Sequence, residues 1–230
     1  MTVNAQYNLA RPDSLPIKIA GYQRRKMFAE FIAAMGVAEQ DTIVDVGATS
    51  DQSYDHSNYL EAWHPFKQRI TAVGVDDAGF LESLYPGVTF RRADGRALPF
   101  EDDSFDYAHS SAVLEHVGSA AQQAQFLREL WRVARKGVFV TTPNRWFPIE
   151  FHTMLPLIHW LPVGMHRKLL TAMGQSFFAD EQNLNLLSPA SLTRAAQAAG
   201  MADFRIETVS LAGLPTNLLL IARKPGPEEG

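Results

Sequence analysis

Apolar residues recur first at helical and then at strand spacing along this chain. Phe28, Phe31, Ile32 and Met35 stand at i, i+3, i+4 and i+7, one face of a helix that Gly36 is placed to stop. Residues 1–20 are polar, carry Pro12 and Pro16, and read as irregular. Short apolar runs then alternate with helical patterns. Residues 42–47 read as a strand, 58–63 as a short helix, and 70–76 and 88–92 as strands. Residues 105–110 form a fourth strand, followed by a helix with Leu127, Leu130, Trp131 and Ala134 on one face. Residues 137–142 are a fifth strand, ended by Pro143.

The alternation predicts an α/β fold, a doubly wound, mostly parallel sheet with helices on both faces. The runs TIVDV, ITAVGV and GVFV have few polar interruptions, as strands covered on both faces should. Residues 144–187 break the rhythm with Pro148, Pro156, Pro162, Trp146 and Trp160, and read as a helical insertion after the fifth strand, folded over one end of the sheet as a substrate cap. The two tryptophans either form the insertion's own core or, where that surface is open, suggest an apolar or lipid-linked acceptor. The rhythm resumes with Ser188 as N-cap and Pro189 in the first turn of a helix whose stripe is Leu192, Ala195, Ala196 and Ala199. Two final strands, 204–210 and 217–223, are joined by a link too short for a helical crossover, so the last strand is antiparallel. Residues 1–230 are expected to form one domain with seven strands, and the tail KPGPEEG to fray.

Composition narrows the function. Of 230 residues, 46% are hydrophobic and 20% charged, which excludes a disordered chain. The net charge of −4 argues against a nucleic-acid-binding face. With no cysteine there is no disulfide framework, zinc–thiolate centre or thiol nucleophile, and a reducing, cytoplasmic setting fits. No signal peptide or spanning segment is read, although a peripheral touch on a membrane surface is left open.

In an open parallel sheet, ligands bind beyond the carboxyl ends of the strands. Three signals lie there. Asp45 precedes Gly47, which lets the backbone turn tightly. Asp76 closes the second strand, where a carboxylate can accept both hydrogen bonds of a ribose diol. Asp94 follows the third strand, where it could accept from an exocyclic amine while the N–H of Gly95 donates to a ring nitrogen. Together they describe an adenosine-shaped slot. His116 could serve as a base near the reacting group or pack a helix start. Glu150, His152, His159 and His166 lie in the insertion at spacings too nonspecific for a metal motif, and no metal is expected.

The string ADGRALPFEDDSFDYAHSSAVLEHV at 93–117, with DTIVDVG at 41–47 and ITAVGVD at 70–76, resembles the class I S-adenosylmethionine-dependent methyltransferases. It is most similar to the small-molecule branch that includes the ubiquinone-biosynthesis enzymes. The resemblance covers about residues 40–143 and, more loosely, the closing strands. It implies a Rossmann-like methyltransferase fold, with S-adenosylmethionine as cofactor, Asp76 on the ribose, Asp94 on the adenine amine and Ser110 by the methionine end. It further implies methyl transfer to a small acceptor. A base is needed only where the acceptor must lose a proton, and His116 and His152 are the candidates.

One departure stands out. The family's first loop usually reads G-x-G-x-G, and here it is Gly47-Ala48-Thr49-Ser50-Asp51. Asp45 and Asp76 are 31 residues apart, against roughly 20 in comparable nucleotide folds. A β-branched Thr tolerates positive φ poorly, so the loop must take another path. Either it forms a longer lid over the cofactor, or the chain is a non-catalytic binding module on the same fold. A nicotinamide-dependent oxidoreductase would need G-x-G-x-x-G after the first strand, which is absent. The acceptor and the oligomeric state are not legible.

Overall fold

The computed structural model describes residues 14–225 except 53 and 55. In chain order the elements are α1 (Leu15–Met35), β1 (Ile43–Val46), α2 (Tyr59–Trp63), β2 (Ile70–Gly74), α3 (Phe80–Leu84), β3 (Thr89–Arg92) and β4 (Phe105–Ser111). There follow α4 (Ala120–Val133), β5 (Ala134–Pro143), α5 (Val163–Ala172), α6 (Ser176–Ala179), α7 (Pro189–Ala198), β6 (Phe204–Leu211) and β7 (Leu214–Arg223). The seven strands form one sheet in the order β3-β2-β1-β4-β5-β7-β6. Every neighbouring pair is parallel except the two that involve β7. The sequence-derived topology is therefore the observed one. Strand order reverses beside β1, which puts the C-terminal ends of β1 and β4 at the expected ligand crevice.

Alternate residues of each strand serve opposite faces. Val44, Val46, Ala108, Val138 and Val140 pack with Phe126, Leu127 and Leu130 of α4 and Leu192 and Ala196 of α7. Ile43, Ala72, Tyr107, Phe139 and Leu219 pack on the other face with Met27, Phe31 and Met35 of α1, Leu60 of α2 and Leu81 of α3. By the same alternation Asp45 shares the face of Ile43, and His109 that of Tyr107. Two polar side chains are thereby placed under α1.

Several expectations need correction. The helix α1 begins at Leu15, not after residue 20. Pro16 falls in its first turn, where the missing N–H is no loss, so the proline starts the helix instead of preventing it. The short helix α3 had no apolar period long enough to reveal it. Ala134, read as the end of a helical stripe, is the C-cap of α4 and the first residue of β5. The link between β6 and β7 shrinks to Ala212 and Gly213, both with positive φ (49° and 81°), a two-residue hairpin turn. Residues 1–13 and the tail from 226 lie outside the described residues.

Residues 144–187 form α5, α6 and irregular chain. Their core is Leu170, Phe178 and Leu184. Trp146 and Trp160 are half exposed, at 50% and 44%, with ring centroids 6.5 Å apart, the open-surface alternative. The segment is tied to the sheet end: the Asn185 N–H donates to Glu115 O at 2.7 Å, and Gln123 Nε2 to Asn185 O at 2.9 Å.

Candidate functional site

The first strand ends in a turn built on Gly47, whose φ is 120°. The N–H groups of Gly47 and Ala48 both donate to Val73 O, at 2.8 and 2.9 Å. The loop then departs from a glycine-rich path as its side chains require. Positive φ outside glycine occurs at Asp103, Ala112, Met154, Leu157 and Ala212 among the described residues, so neither Thr49 nor Asp51 adopts it. The loop is closed by a clasp instead: Thr49 N–H donates to Asn58 Oδ1 at 2.8 Å, and Asn58 Nδ2 donates to Thr49 O at 3.0 Å. His56 Nε2 donates to Ile17 O at 3.1 Å and Arg24 Nη1 to His56 O at 3.1 Å, which fastens the loop's far end to α1.

The register Gly74↔Arg92 relates the two acids that the sequence suggested for an adenosine slot. Asp76 lies two residues past Gly74 and Asp94 two past Arg92, so the two leave neighbouring strand ends at the same level. Their environments differ. Asp76 Oδ2 is buried and has no hydrogen-bond partner. Asp94 is exposed and clasped by Arg96, with Nη2 at 2.7 Å from Oδ2 and Nε at 3.0 Å from Oδ1. The guanidinium holds the Asp94 carboxyl below its ordinary range. Gly95 sits in a close approach: a β-carbon there would lie 2.4 Å from the Phe126 ring and 2.8 Å from Val46.

Asp45 does not stand open at the strand end. Its Oδ1 is 2.5 Å from His109 Nδ1, and His109 Nε2 is 2.9 Å from the Tyr59 hydroxyl. Phe31 and Phe139 wall this chain of groups, with ring centroids 5.0 and 5.8 Å from the imidazole. Burial pushes Asp45 up to about 7 and His109 down to about 4. Burial, then repulsion from Asp45, pushes the Glu61 carboxyl well above the carboxylate range. Ser110 is also committed inside the sheet, its hydroxyl donating to Val46 O at 2.6 Å.

His116 and His152 come together, their rings 4.6 Å apart and at right angles. His116 ends a 3-10 turn, Leu114–His116, that follows β4. His116 Nδ1 donates to Asn183 O at 2.7 Å, and His152 Nδ1 to Glu150 Oε1 at 2.7 Å. Burial, then the neighbouring His152, pushes His116 down to about 3. Burial opposes the charge on His152 as well, but Glu150 outweighs it and raises that imidazole. Glu115, fully buried, accepts from Thr142 Oγ1 at 2.8 Å.

Sequence reasoning passed over Arg96, Asn58, Tyr59, His109, Glu115 and Asn183. Arg96 was detectable, because a cation two residues from a loop carboxylate can reach back to it. The others depend on partners far away in the chain.

Residues 56–141 match the family model described as "Methyltransferase domain". The chain is 31% identical over 166 residues to the demethylmenaquinone methyltransferase of Roseiflexus sp. (strain RS-1), covering 66% of this chain and 65% of that protein. It is 30% identical over 154 residues to the protein of the same name in Roseiflexus castenholzii, covering 61% of each. The chain thus spans a little under two thirds of these relatives. Among solved structures, an S-adenosylmethionine-dependent methyltransferase from Mesorhizobium loti superposes with a TM-score of 0.58 at 19% identity, over 85% of this chain and 98% of that one. The magnesium protoporphyrin IX methyltransferase of Synechocystis gives 0.57 at 14% identity, over 96% and 92%. The fold is that of the class I methyltransferases.

Proposed function

We propose that this chain is an S-adenosylmethionine-dependent methyltransferase acting on a small, apolar or lipid-linked acceptor. The observation that carries the reading is Asp76 Oδ2, a buried carboxylate oxygen with no partner at the end of β2. Such an oxygen is costly unless a ligand donates to it. A ribose diol supplies two O–H donors of the right kind. Asp94, level with it on the next strand, would accept from an amine in exchange for part of its clasp with Arg96. Gly47 lets the backbone pass close to the methionine portion, and Gly95 lets the chain after β3 settle against β1. These residues fit the cofactor, which supplies a methyl already activated on a sulfonium sulfur.

The protein's task is then positioning. The turn at Gly47 and the loop at Ala112 and Val113 set the reacting end, and in-line placement of the acceptor atom supplies the rate. A base is required only where the acceptor must lose a proton. His152 is then the better placed, because Glu150 fixes its tautomer and leaves Nε2 to accept. Asp45 and Ser110 support this arrangement from inside the sheet and from one bond away.

The acceptor class rests on residues 144–187. Trp146, Phe151, Met154, Leu157, Trp160 and Met165 are exposed there, beside Arg167 and Lys168. Apolar side chains flanked by basic ones suit a membrane surface that holds a lipid-linked substrate. The segment is read as a cap over the acceptor. The quinone-like acceptors named for the Roseiflexus relatives belong to the same chemical class. The Arg96 clasp on Asp94 favours a second reading, a non-catalytic module with its adenine-side acid already occupied. Labelled S-adenosylmethionine incubated with lipid and water-soluble fractions of a cell extract tests the choice. Label entering a lipid supports the enzyme, and label entering neither fraction supports the module.

A further inference from the structure

We propose that Glu115, His116 and His152 form a binding site for a divalent first-row transition-metal cation, zinc being the ion whose ligand preferences they match. One ligand atom of each residue lies within 4.8 Å of the others, and His116 Nε2 is 3.8 Å from Glu115 Oε1. Metal bonds of about 2.0–2.2 Å at tetrahedral angles need ligand atoms roughly 3.3–3.6 Å apart, so small side-chain rotations close the site.

The hydrogen bonds around the cluster prepare its donors. The Asn183 carbonyl can only accept, so His116 Nδ1 carries the proton and Nε2 the lone pair. Glu150 fixes His152 in the same tautomer, and is itself held by the backbone N–H groups of His152 and Thr153 at 2.9 and 2.6 Å. A carboxylate or carbonyl behind each imidazole is the arrangement that orients metal-bound histidines. Glu115 supplies the independent observation. Its residue is fully buried, Oε2 accepts from Thr142 Oγ1, and Oε1 has no hydrogen-bond partner and faces His116. Glu115 and Glu150 bring two buried carboxyl groups to the cluster, whose charge a bound divalent cation would offset. Two nitrogens and one carboxylate oxygen select zinc or a similar ion over magnesium or calcium. Three protein donors leave a coordination position for water or an oxygen of the acceptor.

The site joins the turn after β4 to the insertion, so a bound ion would pin the cap to the sheet. It goes beyond the methyltransferase reading and does not depend on it. Coordination and proton acceptance compete for the same nitrogen lone pairs, so a bound ion would make these histidines ligands and not bases.

The test is metal binding by the tag-free full chain after chelator treatment, read by competition with a zinc indicator and by the visible absorption of added cobalt(II). One equivalent of zinc and a tetrahedral cobalt spectrum are expected. His116→Ala and His152→Ala should each weaken zinc binding at least a hundredfold, and Glu150→Gln roughly 10–100-fold. His159→Ala and His166→Ala, in the same segment, should leave it unchanged. Absence of stoichiometric zinc and cobalt binding in the unaltered protein overturns the proposal, whatever the variants do to folding. So does unchanged affinity in a folded His116→Ala, His152→Ala double variant. Binding of S-adenosylhomocysteine by the metal-free protein is read separately, so either reading can fail alone.

Discussion

Gly47 and Val113 are so close that a β-carbon on the glycine would stand 2.0 Å from Val113 Cγ2. The turn after β1 and the loop after β4 therefore fit together only when residue 47 has no side chain. Its φ of 120° adds a second reason, since L side chains rarely adopt that conformation.

Gly47→Ala should consequently lose stability by about 1–3 kcal/mol, the range for a strained backbone position. Denaturant melts measure this. Gly47→Ala combined with Val113→Ala should recover the share due to the clash and leave the share due to φ.

Asp106 gives a pH dependence with a definite sign. Its Oδ1 is 2.6 Å from Arg135 Nη2 and 3.0 Å from Lys136 Nζ, and Oδ2 accepts from Thr42 N–H and Oγ1 at 3.0 Å each. Burial alone would raise its pKa, but these partners hold it far below the ordinary value. The unfolded chain then binds this proton first as pH falls. The stabilisation is present above about pH 4 and is lost as pH drops toward the folded-state value. Asp106→Asn should be about 1.5–3 kcal/mol less stable at pH 7, a typical value for hydrogen bonds to a charged group. The gap between the two proteins should narrow steadily below pH 4 in melts across the range.

The positions of Asp76 and Asp94 could be read from the sequence because each follows a short strand, Asp76 after the apolar run of β2 and Asp94 after Thr89–Arg92, and a strand end is a local feature. The strands themselves were legible for the same reason, and so was the capped start of α7 at Ser188. What could not be read depends on contacts between distant segments. Asp45 looks like an open strand-end acid until His109, 64 residues away, is folded against it. The meeting of His116 with His152 needs the insertion to fold back across the sheet end. The start of α1 was misread because Pro16 was weighed as a breaker, when in a first turn it is tolerated.

The exposed aromatics of residues 144–187 predict a membrane response. Trp160→Ser should reduce partitioning onto anionic lipid vesicles about tenfold, the loss expected from one large apolar side chain. Cofactor binding should be untouched, because Trp160 lies outside the slot. Vesicle sedimentation beside calorimetry reads both. Unchanged partitioning would remove this face from the account.

The central claim is that Asp76 and Asp94 together hold an adenosyl group, and calorimetric titration with S-adenosylhomocysteine tests it most directly. The unaltered protein should bind one equivalent. Asp76→Ala should bind about 10²–10⁴-fold more weakly at unchanged thermal stability, the loss of two hydrogen bonds to a charged acceptor. No binding by the unaltered protein at millimolar ligand, or equal binding by Asp76→Ala, would contradict the account.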